Sequence, residues 1–181
     1  SSDLLAITDT SIDAGSLQAT QMLSGTVAVQ VSGTLDGVPG VGGDLSNAGK
    51  VFVHAGDSIV ESNYTQASTG TLAVSLGSKL DVVGTATLNG GTLEVTGADN
   101  GYVSNTHTNV LTAAGGLTGT FDQLVKGTGV VFTATTINYD ANNVWLDTTG
   151  LNVTTAAAGQ GVSYTAASFG SAQRVQGAFE Q

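Results

Sequence analysis

The chain has 181 residues, of which 40% are hydrophobic and only 10% charged, with 26 Gly, one Pro and no Cys. It is too apolar for wholesale disorder and carries far less than the roughly 25% charge of an ordinary soluble domain; long helices, which draw on Glu, Lys, Arg and Gln, are excluded in favour of short strands joined by turns of Thr, Ser, Asn and Gly. Four Lys and Arg against 14 Asp and Glu give a net charge of −10, and Lys50, Lys79, Lys126 and Arg174 are too scattered to displace counterions, which excludes nucleic acid as a partner and disfavours anionic membrane surfaces.

The first residues, Ser1-Ser2-Asp3, include neither an initiator Met nor a basic n-region, and read as part of a longer chain. Residues 4 to 24 alternate weakly and predict one or two irregular rungs. From Gly25 onward four phrases recur: Gly25-Thr26-Val27-Ala28-Val29, Gly49-Lys50-Val51-Phe52-Val53, Gly70-Thr71-Leu72-Ala73-Val74 and Gly91-Thr92-Leu93-Glu94-Val95. Their first residues lie 24, 21 and 21 apart (49−25, 70−49, 91−70). A period of roughly 20–25 residues with one short strand per repeat predicts a chain coiled on itself, with rungs over residues 1–100. Side chains two apart share a strand face, so Val27, Val29, Val51, Val53, Leu72, Val74, Leu93 and Val95 are expected to stack as one inward column. Thr26, Ala28, Lys50, Phe52, Thr71, Ala73, Thr92 and Glu94 are then expected to face outward. An antiparallel sandwich is the rival arrangement, because Asn89-Gly90 is a hairpin signal; the in-phase repeat favours the coil.

After Asn100 the pattern changes, and residues 101–147 predict a cap. Val130 to Tyr139 alternate, Asp140-Ala141-Asn142-Asn143 supplies a four-residue loop, and Val144-Trp145-Leu146-Asp147 returns, which together predict a hairpin. A stacked coil must cover its last apolar end and its free strand edge. Val130, Phe132, Tyr139, Val144, Trp145 and Leu146 are the expected cap and folding nucleus. Residues 148–170 are small and polar, as in a linker. Residues 171–181 predict the start of a short helix, with Ser171 as N-cap and Val175 and Phe179 at i, i+4.

Several of these segments, in this order, resemble the C-terminal passenger stem of type V autotransporters. They are Gly56-Asp57-Ser58-Ile59-Val60-Glu61-Ser62-Asn63-Tyr64-Thr65-Gln66, Gly70 to Val74, Lys79 to Val95, Val110 to Gly116 with Gly119-Thr120-Phe121, and Tyr139 to Leu146, followed by Gln173-Arg174-Val175-Gln176-Gly177-Ala178-Phe179. The likeness spans roughly residues 45 to 181. It implies an all-β fold, a right-handed parallel β-helix (solenoid) ending in a capping hairpin and a short helix. It further implies an autochaperone displayed on, or released from, the surface of a Gram-negative bacterium, with an outer-membrane β-barrel downstream and an N-terminal passenger region upstream as partners. The lack of Cys suits a chain that crosses an oxidising compartment unfolded.

A search for chemistry finds little. His54 follows the inward Val53 and is expected on the outer face, where the phrase alignment puts Gln30 and Ser75 beside it and no carboxylate. His107 lies in a polar stretch read as a loop. Gly40-Val41-Gly42-Gly43-Asp44 is one imperfect copy of a calcium-binding repeat and reads as a turn. Asp140 belongs to a turn and Asp147 to a solvated strand end. Asn63-Tyr64-Thr65 and Asn152-Val153-Thr154 match the eukaryotic glycosylation triplet, which carries little weight on the bacterial reading that the resemblance implies. No catalytic residue, cofactor or metal is assigned. The alternative function is an adhesin that binds a host surface or self-associates through the outer face, where Phe52 beside Lys50 and His54 is the most adhesive-looking spot. A polysaccharide hydrolase or lyase is a third reading, disfavoured by the absence of clustered acidic or basic groups.

Overall fold

The structure is a computed structural model and describes residues 9–98, 106–127, 130 and 135–148. These residues are all-β, with no helix among them. In chain order the strands are β1 (Asp9–Leu17), β2 (Thr26–Asp36), β3 (Gly40–Val41), β4 (Leu45–Asn47), β5 (Lys50–Val53), β6 (Ser58–Val60), β7 (Tyr64–Gln66) and β8 (Thr71–Leu76), then β9 (Leu80–Val82), β10 (Thr85–Asn89), β11 (Thr92–Ala98), β12 (Thr106–Ala113), β13 (Gly116–Thr120), β14 (Gln123–Lys126), β15 (Thr135–Tyr139) and β16 (Asn143–Thr148).

From β3 to β14 each strand pairs in parallel with the strand three places later. This generates three ladders, β3-β6-β9-β12, β4-β7-β10-β13 and β5-β8-β11-β14. β2 is long enough to join two of them, pairing with β4 through Val27–Val29 and with β5 through Thr34–Asp36. β1 lies parallel on β2 with a bulge between Ile12 and Ala14. The parallel strands thus form a curled sheet around one hydrophobic core. Step lengths run from 19 residues (64−45) through 21 (72−51, 93−72) to 22 (86−64), then jump to 31 in the last step (124−93). Parallel pairing therefore continues past residue 100, as far as Lys126. It ends where β16 pairs antiparallel with both β12 and β15.

The inward column differs in one respect from its sequence expectation. Val51, Leu72 and Leu93 are partners in register, as are Val53, Val74 and Val95. Val27 and Val29 instead sit opposite Leu45 and Asn47, in the neighbouring ladder, and Leu35 heads the Val51 column. The cause is β2 itself: it runs on for seven residues past Val29, and its far end is what meets β5. All eight residues are buried, at 2% exposure or less. Fully burying a Val or Leu side chain is worth roughly 1.5–3 kcal/mol, so these columns hold much of the stabilisation.

The first Gly of a phrase has a steric reason. A Cβ on Gly70 would lie 2.3 Å from the Asn47 carbonyl oxygen, and one on Gly91 would lie 2.5 Å from that of Gly70. At these corners successive repeats approach backbone to backbone, and Thr71 N and Thr92 N donate to the Gly49 and Gly70 carbonyls at 2.7 and 2.9 Å. The expected linker (148–170), the short helix (171–181) and Phe132 lie outside the described residues, apart from Thr148, which ends β16.

Candidate functional site

The low charge and high Thr, Ser and Asn content acquire a role where repeats meet. Side chains at the corners reach across to bond the next repeat, in addition to the backbone ladder. Asp44 Oδ1 accepts from Asn63 N at 3.0 Å, and Asn63 Oδ1 accepts in turn from Thr85 N at 2.9 Å. At another corner Asp57 Oδ1 accepts from Lys79 N at 3.0 Å, while Lys79 Nζ closes on Asp57 Oδ2 at 2.7 Å. Further on, Asp122 Oδ2 accepts from Gly91 N at 3.0 Å, and Thr112 Oγ1 donates to Asp81 Oδ1 at 2.9 Å. Each such group is an Asx-type acceptor or hydroxyl donor serving a neighbouring repeat rather than its own loop. The Asp44 carboxyl is held below the usual carboxylate range by the Ser62 side chain and the Asn63 amide. Asp44 and its glycines therefore serve a corner, and no group of three or more metal-ligating side chains occurs among the described residues.

Inside the stack, Asn47, Tyr64 and Gln66 form a buried polar group on β4 and β7. Asn47 Nδ2 lies 3.1 Å from Gln66 Oε1, 3.2 Å from the Tyr64 hydroxyl and 2.8 Å from the Thr71 carbonyl, and the Tyr64 hydroxyl donates to Gln66 Oε1. Complete burial pushes the Tyr64 phenol upward, so it stays neutral.

On the outer face, Lys50, Phe52 and His54 gather as expected. The Phe52 and His54 ring centroids are 4.2 Å apart, and Lys50 Nζ lies 5.8 Å from the Phe52 centroid. Lys50 also reaches over β8 to Glu94 on β11, at 3.2 Å. Ala73, in register between Phe52 and Glu94, is buried rather than exposed, being the small residue in a row of long ones.

His54 departs from expectation, for its Nε2 lies 2.8 Å from Asp36 Oδ1. The phrase alignment hid this carboxylate because it set Gln30 beside His54 and Thr26 beside Lys50, whereas β2 meets Lys50 of β5 eight residues after Thr26, at Thr34. The other Asp36 oxygen accepts from Gln18 Nε2 at 2.6 Å. Burial pushes the Asp36 carboxyl up, but the bonds from Gln18 and His54 and the charges of His54 and Lys50 together bring it below its usual value. Gln18, Ala19, Thr20, Asp36, Gly37 and His54 line an open cleft of about 570 Å³ here. A second cavity, of about 10 Å³ among Leu35, Val38, Val41 and Val51, is too small and apolar to hold a ligand.

At the antiparallel end Val144 and Leu146 are fully buried, and Val130, Ile137 and Tyr139 pack against the core. The Tyr139 hydroxyl accepts from Phe121 N at 3.1 Å, and burial raises its phenol. Trp145 is not part of this core. It alternates with Val144 and Leu146 and so points to the opposite face, half-buried, where its Nε1 donates to Asp147 Oδ2 at 3.2 Å. His107 lies on β12 rather than in a loop, stacked on Trp145 at 5.0 Å with Nδ1 3.2 Å from Asp147 Oδ1. Asp147 also accepts from Asn138 Nδ2 at 2.8 Å, so it is a hub rather than a bare strand end. Asp140 does serve the turn, accepting from the backbone amides of Asn142 and Asn143 at 2.8 and 2.7 Å.

No protein-family model matches the chain, and no curated protein matches it.

Proposed function

We propose that this chain is the β-helical stem and autochaperone of an autotransporter passenger, acting at the surface of a Gram-negative bacterium. On this reading β3–β5, β6–β8, β9–β11 and β12–β14 are successive rungs of a right-handed parallel β-helix, and β15–β16 is the cap. The observation that carries it is the pairing of each strand with the one three later, with corner side chains bonded to the backbone of the adjoining repeat. Such a repeat presents its neighbour with a ready backbone edge, an apolar column and fixed acceptors. Ordering one repeat therefore removes much of the entropy cost of ordering the next.

The cap gives this growth a direction. An antiparallel β16 beside β12 reverses chain direction, so a parallel coil cannot continue through it. At the opposite end β1 lies parallel on β2 and can accept a further parallel strand from upstream. Folding that begins at the cap and runs toward the N-terminus would draw an emerging passenger outward without a nucleotide. The downstream barrel and the upstream passenger are the partners this mechanism requires.

Refolding kinetics test the order. Leu146→Ala at the cap and Ile12→Ala on β1 both delete buried apolar groups. If the cap nucleates folding, a loss of ~3 kcal/mol at Leu146 acting mostly on the transition state slows refolding roughly 30-fold, whereas Ile12→Ala mainly speeds unfolding. Equal slowing by the two variants, or slowing by Ile12→Ala alone, would refute a C-terminal nucleus.

A further inference from the structure

We propose that the cleft between the β1–β2 connection and β5 is a binding site for neutral, hydroxyl-rich sugar rings. The inference is independent of the stem reading, since a stem needs no ligand and a sugar site needs no folding role.

The site is built rather than incidental. Gln18, Asp36 and His54 come from three segments spaced 18 residues apart (36−18, 54−36), and the Asp36 carboxylate ties them together at 2.6 and 2.8 Å. Gly37 makes the arrangement sterically possible. Its φ is +64°, and a Cβ there would lie 2.8 Å from His54 Nε2. Any other residue would displace the imidazole from Asp36. Phe52, 4.2 Å from the imidazole at an interplanar angle of 42°, packs against His54 without itself lining the cleft, and so helps to hold the imidazole in place.

The chemistry left over defines the ligand. With Nε2–H donating to Asp36, His54 presents Nδ1, which accepts when the imidazole is neutral and donates when it is charged, and Gln18, having spent an amide hydrogen on Asp36, offers Oε1. Thr20 adds a hydroxyl. A cleft whose lining offers a carboxylate, an amide oxygen and a hydroxyl beside an imidazole ring suits a molecule that brings several O–H donors on a rigid ring. A pyranose meets that description. At about 570 Å³ the cleft falls in the ~300–1,000 Å³ range of small-ligand sites.

Other classes fit less well. Anionic sugars and phosphates would meet the Asp36 carboxylate, and the nearby cation Lys50 is already paired with Glu94 at 3.2 Å. A hard divalent cation wants six or more oxygens with several carboxylates, and among the described residues Asp36 is the only carboxylate lining the cleft. An apolar ligand would strand the polar lining.

The test is an NMR titration of the isotopically labelled chain, following the Gln18 side-chain amide, the His54 imidazole and the Gly37 amide. The neutral probes are the methyl glycosides of glucose, galactose, mannose and N-acetylglucosamine, with maltotriose and lactose. Glucuronic acid, sialyllactose and calcium chloride form the competing arms. We expect saturable shifts of these three resonances with at least one neutral probe, at a Kd of roughly 1 mM, as suits a shallow open site. Gln18→Ala and Phe52→Ala should each weaken that binding about tenfold, and Trp145→Ala should leave it unchanged. Gln18 is exposed, so its variant tests the site without threatening the fold. The proposal is overturned if no neutral probe moves these resonances, if an acidic sugar or calcium binds more tightly, or if binding survives both Gln18→Ala and Phe52→Ala. Loss of sugar binding with normal refolding order would leave the stem reading standing, and the converse result would leave the sugar site standing.

Discussion

Leu146 and Trp145 are adjacent in sequence but predicted to differ sharply in worth. Leu146 is fully buried in the common core. Truncation to Ala removes its transfer free energy and leaves a cavity, which for buried leucines costs about 2.7–5 kcal/mol. Trp145 lies on the other face, half-buried. Its removal deletes one hydrogen bond to the Asp147 carboxylate and the stack with His107. A bond to a charged group contributes about 1.5–3 kcal/mol when buried, but near the surface solvent replaces most of it. An aromatic stack adds about 0.5–1.5 kcal/mol. Trp145→Ala should therefore cost roughly 1–2 kcal/mol, below the cost of Leu146→Ala. Urea unfolding followed by far-ultraviolet circular dichroism measures both, with the midpoint shift read at constant m-value. A Trp145→Ala variant as destabilised as Leu146→Ala would mean that the indole belongs to the core, and the face assignment of β16 would fail.

Asn63→Ala removes the acceptor for Thr85 N and the Thr85 hydroxyl, at 2.9 and 3.0 Å, without touching the core. It should cost about 0.5–1.5 kcal/mol and speed hydrogen exchange at the Thr85 amide; an unchanged exchange rate would show that the corner bonds do not couple repeats. Gly37→Ala forces a side chain into positive φ and against His54. A loss of roughly 1–2 kcal/mol together with a shifted His54 imidazole resonance is expected, and an unmoved resonance would contradict the cradle. For pH, Asp36 and Asp44 have carboxyls lowered by folding. A lowered folded value means the folded state binds its proton later than the unfolded chain does. Their stabilisation is therefore present above about pH 4 and lost as the pH falls through the folded values. Carboxyl titration by NMR should show both below the unfolded reference, and an Asp44 that titrates normally would argue against its bond from Asn63.

What the sequence disclosed depended on whether a feature was local. Alternation of Val and Leu is local, and it places all eight expected column residues in the core. The ladder to which each belongs is not local. It depends on β2 running unbroken from Thr26 to Asp36, which the five-residue phrase does not reveal. The same displacement concealed the Asp36 carboxylate beside His54, and reading the apolar alternation on to Leu35 was the signal that could have exposed it. Gln123-Leu124-Val125-Lys126 escaped notice for a different reason. It extends the Leu93 column, but it lies 31 residues on instead of 21 and lacks the opening Gly. Trp145 was legible: period-two alternation with Val144 and Leu146 already puts it on the other face, and only its size suggested a core role.

The corner bonds bear on why such a chain would use so few charges. A charged pair across a corner, such as Lys79 with Asp57, holds its partner through two long or flexible side chains at 29% and 41% exposure, and solvent screens it. Asn63 and Thr112 instead use short side chains with few rotamers to lose, and their partners are a backbone amide and a neighbouring carboxylate. On the proposed stem reading, a repeat that templates an incoming disordered segment gains from acceptors already fixed in place, because the ordering cost then falls on the newcomer alone. Neutral corners also avoid stacking like charges at each repeat, which a carboxylate-rich column would do every ~4.8 Å. The alternation of Asp44 with Asn63 along one corner fits this constraint, since the second acceptor serves the backbone without placing a second negative charge beside the first. Replacing Asn63 by Asp tests the idea: the geometry survives, but two carboxylates then face each other across adjacent repeats. Stability should fall with rising pH between about pH 3 and 5 and recover in high salt. A variant that is as stable as the parent at neutral pH and low salt would show that charge spacing does not constrain the corner.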